Sequence, residues 1–413
     1  MKIAVWHNLP SGGGKRALYY HVRGLVERGH EVSCWCLDTA DQSFLSLSEL
    51  APERVVRTEF RKPRAGLTSW LAPRYSEALA RMQEFDEACR CCAKEIAAGQ
   101  FDLLFANSAV VYNVPFVLRH LRMKKVLYLQ EPRRFLYEAA PILPWVSSAA
   151  EDLGSSLFNP RTILRNYPNL QTLRLQAKQE WLNIKSCDLV LVNSYFSRES
   201  VLRSYGVDAK VCYLGVDTEL FRDLRLPRER IIVGLGSLDP IKGVDLAVKS
   251  VALLPEPRPP LVWIANSGSE AYRNEMTELA RLLKVDLRIE MAISDDELVT
   301  KLNKAALLLY TSRLEPFGFA PLEGNACGLP VVGIAEGGIR ETIQDGVNGF
   351  LVNPEPESIA RAAQSLLHDL GLAKRLGEAA ADYVRQEWDV EESVSRLETI
   401  LLQVASAAPD QPA

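Results

Sequence analysis

Two glutamates, Glu315 and Glu323, stand eight positions apart around the segment Pro316-Phe317-Gly318. Carboxylates accept hydrogen bonds from sugar hydroxyls, and free backbone amides at the start of a helix bind anions. Eight residues make about two helical turns, so we expect both carboxylates to point to the same side. The pattern predicts a site for a polyhydroxylated ligand that carries phosphate. Two glutamates by themselves would only be the usual acids near a helix start.

Three further segments carry residues suited to binding phosphate or sugar. Lys242 follows a predicted strand and precedes a glycine, a pair that alone is typical of a turn. The glycines 12–14 follow the first predicted strand and let the backbone approach a ligand closely, although tight packing explains many such turns. Gln130 follows the fifth predicted strand, and its amide donates hydrogen bonds but does not titrate near pH 7.

The composition excludes several classes of protein. The chain has 413 residues, and 48 Lys+Arg against 52 Asp+Glu give a net charge of −4, which argues against a general nucleic-acid binder. Hydrophobic residues at 47% and charged residues at 24% are typical of a globular protein. No apolar run reaches the roughly 18 residues of a membrane span, and the start of the chain turns polar too soon for a secretory signal. We therefore expect a cytoplasmic protein.

The eight cysteines form no pair of CxxC motifs. Most lie in apolar runs that predict strands, and Cys89, Cys91 and Cys92 lie in a predicted helix. This spacing favours buried or half-buried reduced thiols over zinc ligands or disulfides.

Short apolar runs alternate with helical patterns along the whole chain, which predicts βαβ units and a doubly wound parallel sheet. The series restarts near Ile231, so the predicted fold is α/β with two Rossmann-like domains facing across a cleft. The predicted strands cover 2–7, 31–37, 55–60, 102–106, 125–129, 188–192 and 210–214, then 231–235, 261–265, 286–290, 306–310 and 331–334.

Composition shifts set the predicted boundaries. An N-terminal domain covers 1–217, and an irregular, polar linker covers 218–230. A C-terminal domain covers 231–385. The residues 386–413 form a helix that packs back on the first domain, followed by a tail.

The segment from Glu315 to Glu323 resembles the E-x7-E motif of retaining family 4 glycosyltransferases, which have the GT-B fold. The resemblance covers nearly the whole chain. It continues through 328–332, 337–341 and 345–352 in the order found in the family. In the first half, 192–194, 205–207 and 214–217 resemble the end of the family's N-terminal domain and the lead into its linker.

The resemblance implies that the domain 1–217 binds the acceptor and that the domain 231–385 binds the nucleotide sugar. It also implies roles for individual residues. Glu315 would bind hydroxyls of the donor sugar, Glu323 would bind the ribose, and Lys242 would bind the pyrophosphate. Ser237 stands where the family usually has an arginine, and Arg313 is a candidate to compensate for that loss of charge. The implied catalytic residues are Glu315, Lys242 and Gln130. The implied donor-binding residues are Gly12, Gly13, Gly14, Ser237, Lys242, Arg313, Glu315, Phe317, Gly318, Phe319, Leu322 and Glu323.

The segment from Tyr128 to Arg134 resembles a Y-x-H-x-P-x-R element of some members, with Gln130 at the position of the histidine. This likeness favours GDP-mannose as donor, with a UDP-hexose as the alternative. The resemblance implies no cofactor and no metal. In the family reading the leaving phosphate takes the proton of the acceptor, so no glutamate acts as nucleophile.

Two other functions stay open. Ser237 and Gln130 depart from the family pattern, which would fit a GT-B subunit that binds a ligand without catalysing transfer. A nucleotide-sugar 2-epimerase is the second alternative, although its expected acid–base residues are not evident. The acceptor is a glycan, a lipid-linked sugar or a small molecule. If it is lipid-linked, the basic and apolar segment Arg61–Trp70 is the candidate for peripheral contact with the inner membrane face.

Overall fold

A computed structural model describes residues 1–59, 73–137 and 160–407 of the chain. The predicted membrane-contact segment Arg61–Trp70 lies outside the described residues. The described residues form two compact units. The first draws on Met1–Asn193, Ser197–Cys212 and Val394–Ala413, and the second on Ser194–Phe196 and Tyr213–Ser393.

Each unit is built on a parallel β-sheet. The strands of the first sheet are β1 (Lys2–Asn8), β2 (Glu31–Leu37), β3 (Glu53–Val56), β4 (Leu103–Ala109), β5 (Lys124–Tyr128), β6 (Leu189–Val192) and β7 (Lys210–Val211). Those of the second are β8 (Ile232–Leu235), β9 (Leu261–Ala265), β10 (Leu287–Met291), β11 (Leu307–Tyr310), β12 (Val331–Ile334) and β13 (Gly349–Val352).

The strand orders are β3-β2-β1-β4-β5-β6-β7 and β10-β9-β8-β11-β12-β13. Both are doubly wound orders, in which ligands bind beyond the carboxyl ends of the strands at the point where the order reverses. That point lies between β1 and β4 in the first unit and between β8 and β11 in the second.

Helices connect most of the strands, as parallel pairs of strands require, and the last three helices follow β13. In the first half they are α1 (Gly13–Glu27), α2 (Pro73–Ala98), α3 (Val117–His120), α4 (Arg134–Tyr137), α5 (Pro160–Ile184) and α6 (Tyr195–Tyr205). In the second half they are α7 (Val244–Ala252), α8 (Glu270–Leu283), α9 (Asp295–Lys304), α10 (Phe319–Ala326), α11 (Ile339–Thr342), α12 (Pro356–His368), α13 (Leu370–Glu387) and α14 (Val390–Ser406).

The apolar runs form the cores. Ile3, Ala4 and Val5 on the central strand β1 are fully buried, and Leu307 and Leu308 are equally buried on β11. Strands covered on both faces must be apolar at nearly every position, which is why the runs are continuous rather than alternating.

The predicted strands all have counterparts, and most bounds agree to within one residue, but the fourth strand extends to Ala109 instead of ending at 106. The third strand lies at 53–56 rather than 55–60, and the strand predicted at 210–214 ends at Val211. The strand β13 was not predicted. The cysteines are free thiols, and Cys91 is exposed where a buried or half-buried position was expected. Within the described ranges, no helix is both long enough and apolar enough to cross a bilayer.

A buried histidine on α1 should make the first unit sensitive to acid. His21 is 2% exposed, and its ring lies 5.4 Å from that of Tyr128 and 6.2 Å from that of Phe105. Burial, with the charge of Arg396, lowers the pKa of His21 to about 3. The unfolded chain takes up a proton below its pKa of about 6.5, while the folded chain does not, so stability falls as the pH drops through that range.

We expect the free energy of unfolding to fall by about 1 kcal/mol between pH 7 and pH 5.5 through His21 alone. Urea unfolding at the two pH values measures it, with His21→Phe as the variant that keeps the ring and removes the proton site. The same pH dependence in the native chain and the variant would show that His21 does not contribute.

Candidate active site

The segment with the two glutamates leaves β11 and turns sharply before α10 begins at Phe319. Leu314 has φ 50° and Gly318 has φ 98°, both in the left-handed region. Left-handed backbone at a residue other than glycine costs free energy and is common at functional sites. Glu315 therefore precedes the helix, and the expectation that two helical turns align the glutamates is wrong, because Pro316 and the left-handed Gly318 delay the helix.

Both glutamates act on the phenol of Tyr310, the last residue of β11. Burial raises the pKa of Tyr310 well above its usual value, and the charges of Glu315 and Glu323 raise it further. Both carboxylates therefore lie near the same phenol at the end of β11. Glu323 is 6% exposed on α10, while the side chain of Glu315 is 17% exposed.

Glu315 forms an ion pair with Lys242. The Nζ of Lys242 lies 2.7 Å from Oε2 of Glu315, and the hydroxyl of Ser312 donates to the same oxygen at 2.6 Å. The lysine side chain is 24% exposed, so the pair is partly open to solvent. Two residues singled out from separate motifs thus meet at the carboxyl ends of β8 and β11.

Backbone contacts fix the loop that carries Lys242 against the segment after β11. The hydroxyl of Thr311 donates to the carbonyl of Lys242 at 3.1 Å, and the amide of Arg313 donates to the carbonyl of Ile241 at 2.9 Å. A Cβ on Gly243 would lie 2.4 Å from the carbonyl oxygen of Thr311. This close approach explains why a glycine follows the lysine.

Two glycines brace the loop of Glu315 from the other side. The amide of Gly338 donates to the carbonyl of Glu315 at 2.7 Å. A Cβ on Gly338 would lie 1.9 Å from the oxygen of Pro316, and one on Gly337 would lie 2.3 Å from the oxygen of Glu315. The segment 337–341, singled out only by resemblance, therefore has a physical role in shaping this loop.

The amides of Phe317, Gly318 and Phe319 lie at the start of α10. Within the described ranges, none of the three donates to a backbone carbonyl. The ring of Phe317 lies 5.4 Å from that of Phe319 and 5.6 Å from that of Trp388, so the three aromatic rings pack together at this loop. Leu322 is fully buried on α10.

The charge of Arg313 is already engaged. Its Nε and Nη2 atoms donate to the two oxygens of Glu336, both at 2.8 Å. Ser237, at the position where the family usually has an arginine, uses its carbonyl to accept from the amide of Asp239 at 2.9 Å. Lys242 is thus the cation that faces Glu315, while the positive charge of Arg313 is neutralised.

A cavity of about 510 Å³ lies beside the Lys242 loop. Leu238, Ser269, Arg273 and Met291 contribute to its lining. Met291 is the last residue of β10. The cavity is large enough for a ring system.

In the first unit, Gly14 lies against Gln130. A Cβ on Gly14 would lie 3.9 Å from Cγ of Gln130 and 3.6 Å from Leu9. Gly12 has φ 134° and is the N-cap residue of α1, and no side chain caps this end of the helix. Gly13 is the first helical residue. The glycine loop and Gln130, which come from distant parts of the sequence, therefore share one edge of the first sheet.

Three asparagines at this edge were not predicted as site residues. The amide of Asn193 donates to Oε1 of Gln130 at 3.0 Å, leaving Nε2 of Gln130 without a partner among the described residues. The amide nitrogens of Asn8 and Asn107 are likewise buried and unpartnered within those ranges. Such groups need a ligand or water. In the sequence, each of the three asparagines directly follows an apolar predicted strand, and this position was the signal that could have identified them.

One group among the described residues brings three metal-ligand types together. Donor atoms of His7, Cys36 and Glu53 lie within 4.8 Å of one another. However, Nε2 of His7 already contacts Glu53 at 3.0 Å, and Sγ of Cys36 accepts from Gln42 at 3.3 Å. The charge of the buried Lys15 ammonium also acts on His7 and Glu53, and it would repel a metal cation at this position. A hydrogen-bonded buried cluster fits these contacts better than a metal site.

Models of two protein families match consecutive parts of the chain. The model described as Glycosyltransferase Family 4 matches residues 11–220, more than half of the chain, and that described as Glycosyl transferases group 1 matches residues 216–383. The chain belongs to glycosyltransferase family 4. The second match includes Lys242, Glu315 and Glu323 of this family 4 chain.

Similar curated proteins include D-inositol 3-phosphate glycosyltransferases. The D-inositol 3-phosphate glycosyltransferase of Streptomyces bingchenggensis is 30% identical over 232 residues, which are 50% of this chain and 51% of that protein. The protein of that name from Acidothermus cellulolyticus is 29% identical over 230 residues, again 50% and 51%. The chain thus spans about half the length of the curated relatives it matches.

Solved structures match over both units. Sucrose-phosphate synthase from Thermosynechococcus elongatus matches with a TM-score of 0.72 and 19% identity, covering 99% of this chain and 100% of that one. The Anabaena protein HepE in complex with UDP and glucose gives 0.70 and 20%, covering 98% and 100%. These likenesses confirm the predicted α/β fold of the GT-B class for the family 4 chain.

Proposed function

We propose that the chain is a retaining glycosyltransferase that moves a hexosyl group from a nucleotide-diphosphate sugar to an acceptor hydroxyl. The observation that carries this proposal is the 2.7 Å contact between Lys242 and Glu315, which come from two separate motifs of the family. An ammonium and a carboxylate, both partly open to solvent, suit the two ends of such a donor. The ammonium attracts pyrophosphate, and the carboxylate accepts bonds from sugar hydroxyls.

The second unit would supply most of the stabilisation of the leaving group. Breaking the anomeric C–O bond leaves an oxocarbenium-like sugar and concentrates negative charge on the diphosphate. Lys242 and the amides of Phe317, Gly318 and Phe319 would take up this charge. Glu323 would hold the ribose, and Glu315 would release Lys242 to the phosphate as it turns to the sugar hydroxyls.

The reaction would not need a protein nucleophile. In front-face transfer the oxygen of the leaving phosphate accepts the proton of the acceptor hydroxyl as the new C–O bond forms. In the first unit, Nε2 of Gln130 would donate a hydrogen bond to a sugar hydroxyl. The contact with Asn193 would fix the orientation of the Gln130 amide. Because an amide does not titrate, the bond to the sugar hydroxyl would be independent of pH near neutrality.

The donor is a UDP-hexose or GDP-mannose in this proposal. The structurally similar HepE was solved in complex with UDP and glucose, and the Tyr128–Arg134 segment resembles the element that favours GDP-mannose. D-inositol 3-phosphate is a reasonable first acceptor to assay because the relatives are named for it. Isothermal titration with UDP and with GDP separates the donors, and failure to bind either would overturn the proposal.

Adding a cation beside Lys242 should tighten diphosphate binding. Ser237→Arg would restore the arginine usual in the family, while Arg313 stays on Glu336. We expect a dissociation constant for the nucleoside diphosphate roughly 3- to 10-fold lower, with a steeper dependence on salt.

Ser237→Gln is the matched control for this change, because it adds a side chain without charge. Titration calorimetry at two ionic strengths measures both variants. Weaker binding by the arginine variant than by the glutamine variant would mean that another cation already neutralises the pyrophosphate.

A ligand-binding subunit without transferase activity is the second candidate. The two departures at Ser237 and Gln130 favour it, since each removes a group that family members use on the donor. It predicts nucleotide binding without any cleavage of the donor, which is the outcome that separates it from a transferase.

A further inference from the structure

One face of α5 exposes large apolar side chains next to cations. Leu170 is 46% exposed, Leu173 is 38% exposed and Trp181 is 47% exposed. Large apolar side chains in a row on one helix are more informative than the same residues scattered singly. We name this surface the α5 face. Its residues are Leu170, Leu173, Arg174, Lys178 and Trp181, together with Lys185 just after the helix.

The other side of α5 is held firmly to the first unit. Glu180 is fully buried and accepts from the amide of Asn113 at 3.0 Å and from the hydroxyl of Tyr205 at 2.8 Å. The side-chain amide of Asn183 donates to the carbonyl of Val114 at 2.7 Å. These contacts hold the C-terminal part of α5, so the α5 face around Trp181 is the outer side of a fixed stretch of helix.

The charge of the α5 face has one sign. Between residues 170 and 185 the only acidic residue is Glu180, which is buried away from this face. Arg174, Lys178 and Lys185 are exposed, in a chain whose net charge is −4. The Nζ of Lys185 lies 5.7 Å from the centre of the Trp181 ring. A tryptophan beside an ammonium is the arrangement favoured at the level of lipid headgroups.

We propose that the α5 face docks on an anionic lipid surface. The row from Leu170 to Lys185 is about 22 Å long and convex, so it fits a flat surface better than a peptide groove. The leucines and Trp181 would enter the boundary between headgroups and acyl chains, and the three cations would contact lipid phosphates. This docking is separate from the proposed transfer reaction, and it uses residues other than Arg61–Trp70.

Co-sedimentation of the full chain with vesicles tests this proposal. We expect binding to vesicles of phosphatidylcholine with phosphatidylglycerol at about 0.1 M salt, and loss of binding at about 1 M salt, where the Debye length shrinks to about 3 Å. Vesicles of phosphatidylcholine alone should bind much less. Replacing Arg174 and Lys178 with alanine should weaken partitioning roughly 20-fold, at about fivefold for each cation. Trp181→Gln should weaken it further.

A matched control lies in α13. Leu370 is 75% exposed, and Lys374 follows it with the same four-residue spacing as Leu170 and Arg174. The pair Leu170→Gln and Arg174→Ala should lose vesicle binding, whereas Leu370→Gln and Lys374→Ala should bind as the native chain does. All variants should keep the native thermal midpoint and nucleotide affinity.

Two outcomes would overturn the proposal. If the native chain stays in the supernatant with anionic vesicles at low salt, the α5 face does not bind lipid, and an acidic protein becomes the better partner. If the α5 variants bind vesicles as well as the α13 controls, another surface makes the contact. Neither outcome bears on nucleotide binding, so a failure here is distinguishable from failure of the proposed transfer.

Discussion

Replacing Glu315 with glutamine should lower transfer turnover by roughly 100- to 1,000-fold and leave nucleoside diphosphate binding unchanged or tighter. The carboxylate would accept bonds from donor hydroxyls at the reacting sugar, and the amide removes that charge at nearly constant shape. Lys242 loses its 2.7 Å partner and becomes available to phosphate, which is why binding should not weaken. Turnover is measured by release of nucleoside diphosphate, and affinity by titration calorimetry.

Glu290→Gln is the matched control for this variant. Glu290 also forms a partly exposed pair with a lysine of the same unit, Lys301, at 2.9 Å. The Glu290→Gln variant should keep native turnover. Parallel losses of turnover and nucleotide affinity in the Glu315 variant would mean that the loop before α10 has collapsed, so that no separate role for this carboxylate could be assigned.

Glu323→Ala should weaken nucleotide binding, an effect that Glu315→Gln should not have. It removes a nearly buried acceptor proposed for the ribose hydroxyls, and a lost charge-assisted hydrogen bond costs roughly 1.5–3 kcal/mol, or about 10- to 150-fold in affinity. Titration with UDP and GDP measures the loss directly.

The ligand itself provides the control for Glu323. A 2′,3′-dideoxy nucleoside diphosphate lacks the hydroxyls, so it should bind native and variant chains with nearly equal affinity. An equal loss for the ribose and dideoxy ligands would assign the effect of Glu323 to the structure of α10 rather than to ribose binding.

Most of the fold could be predicted from the sequence because both sheets are parallel and covered on both faces. Such strands must be apolar throughout, as Ile3–Val5 and Leu307–Leu309 are. The strand β13 escaped because it is a short edge strand in which only Gly349 is buried. The residues after Gly349 are apolar but only partly buried, and three apolar residues after a turn are too short a run to predict a strand.

The site was predictable in its residues and less so in its geometry. Motif spacing singled out Lys242 and Glu315, but nothing in the sequence indicated that they form an ion pair, since 73 positions separate them. The braces at Gly337 and Gly338 depend on backbone approach, which spacing does not encode. Helical periodicity predicted the alignment of the glutamates wrongly, because the left-handed Gly318 separates Glu315 from the helix, which begins at Phe319.

Cleavage of the donor in the absence of acceptor tests the central claim most directly. The native chain and the Glu315→Gln variant are incubated for long periods with UDP-glucose and with GDP-mannose, and released diphosphate and sugar are followed by NMR. The account predicts slow release from one donor by the native chain, with the α-anomer of the hexose appearing first, and far less release by the variant. No release from either donor by a chain that binds the diphosphate would contradict it, and initial release of the β-anomer would contradict retention.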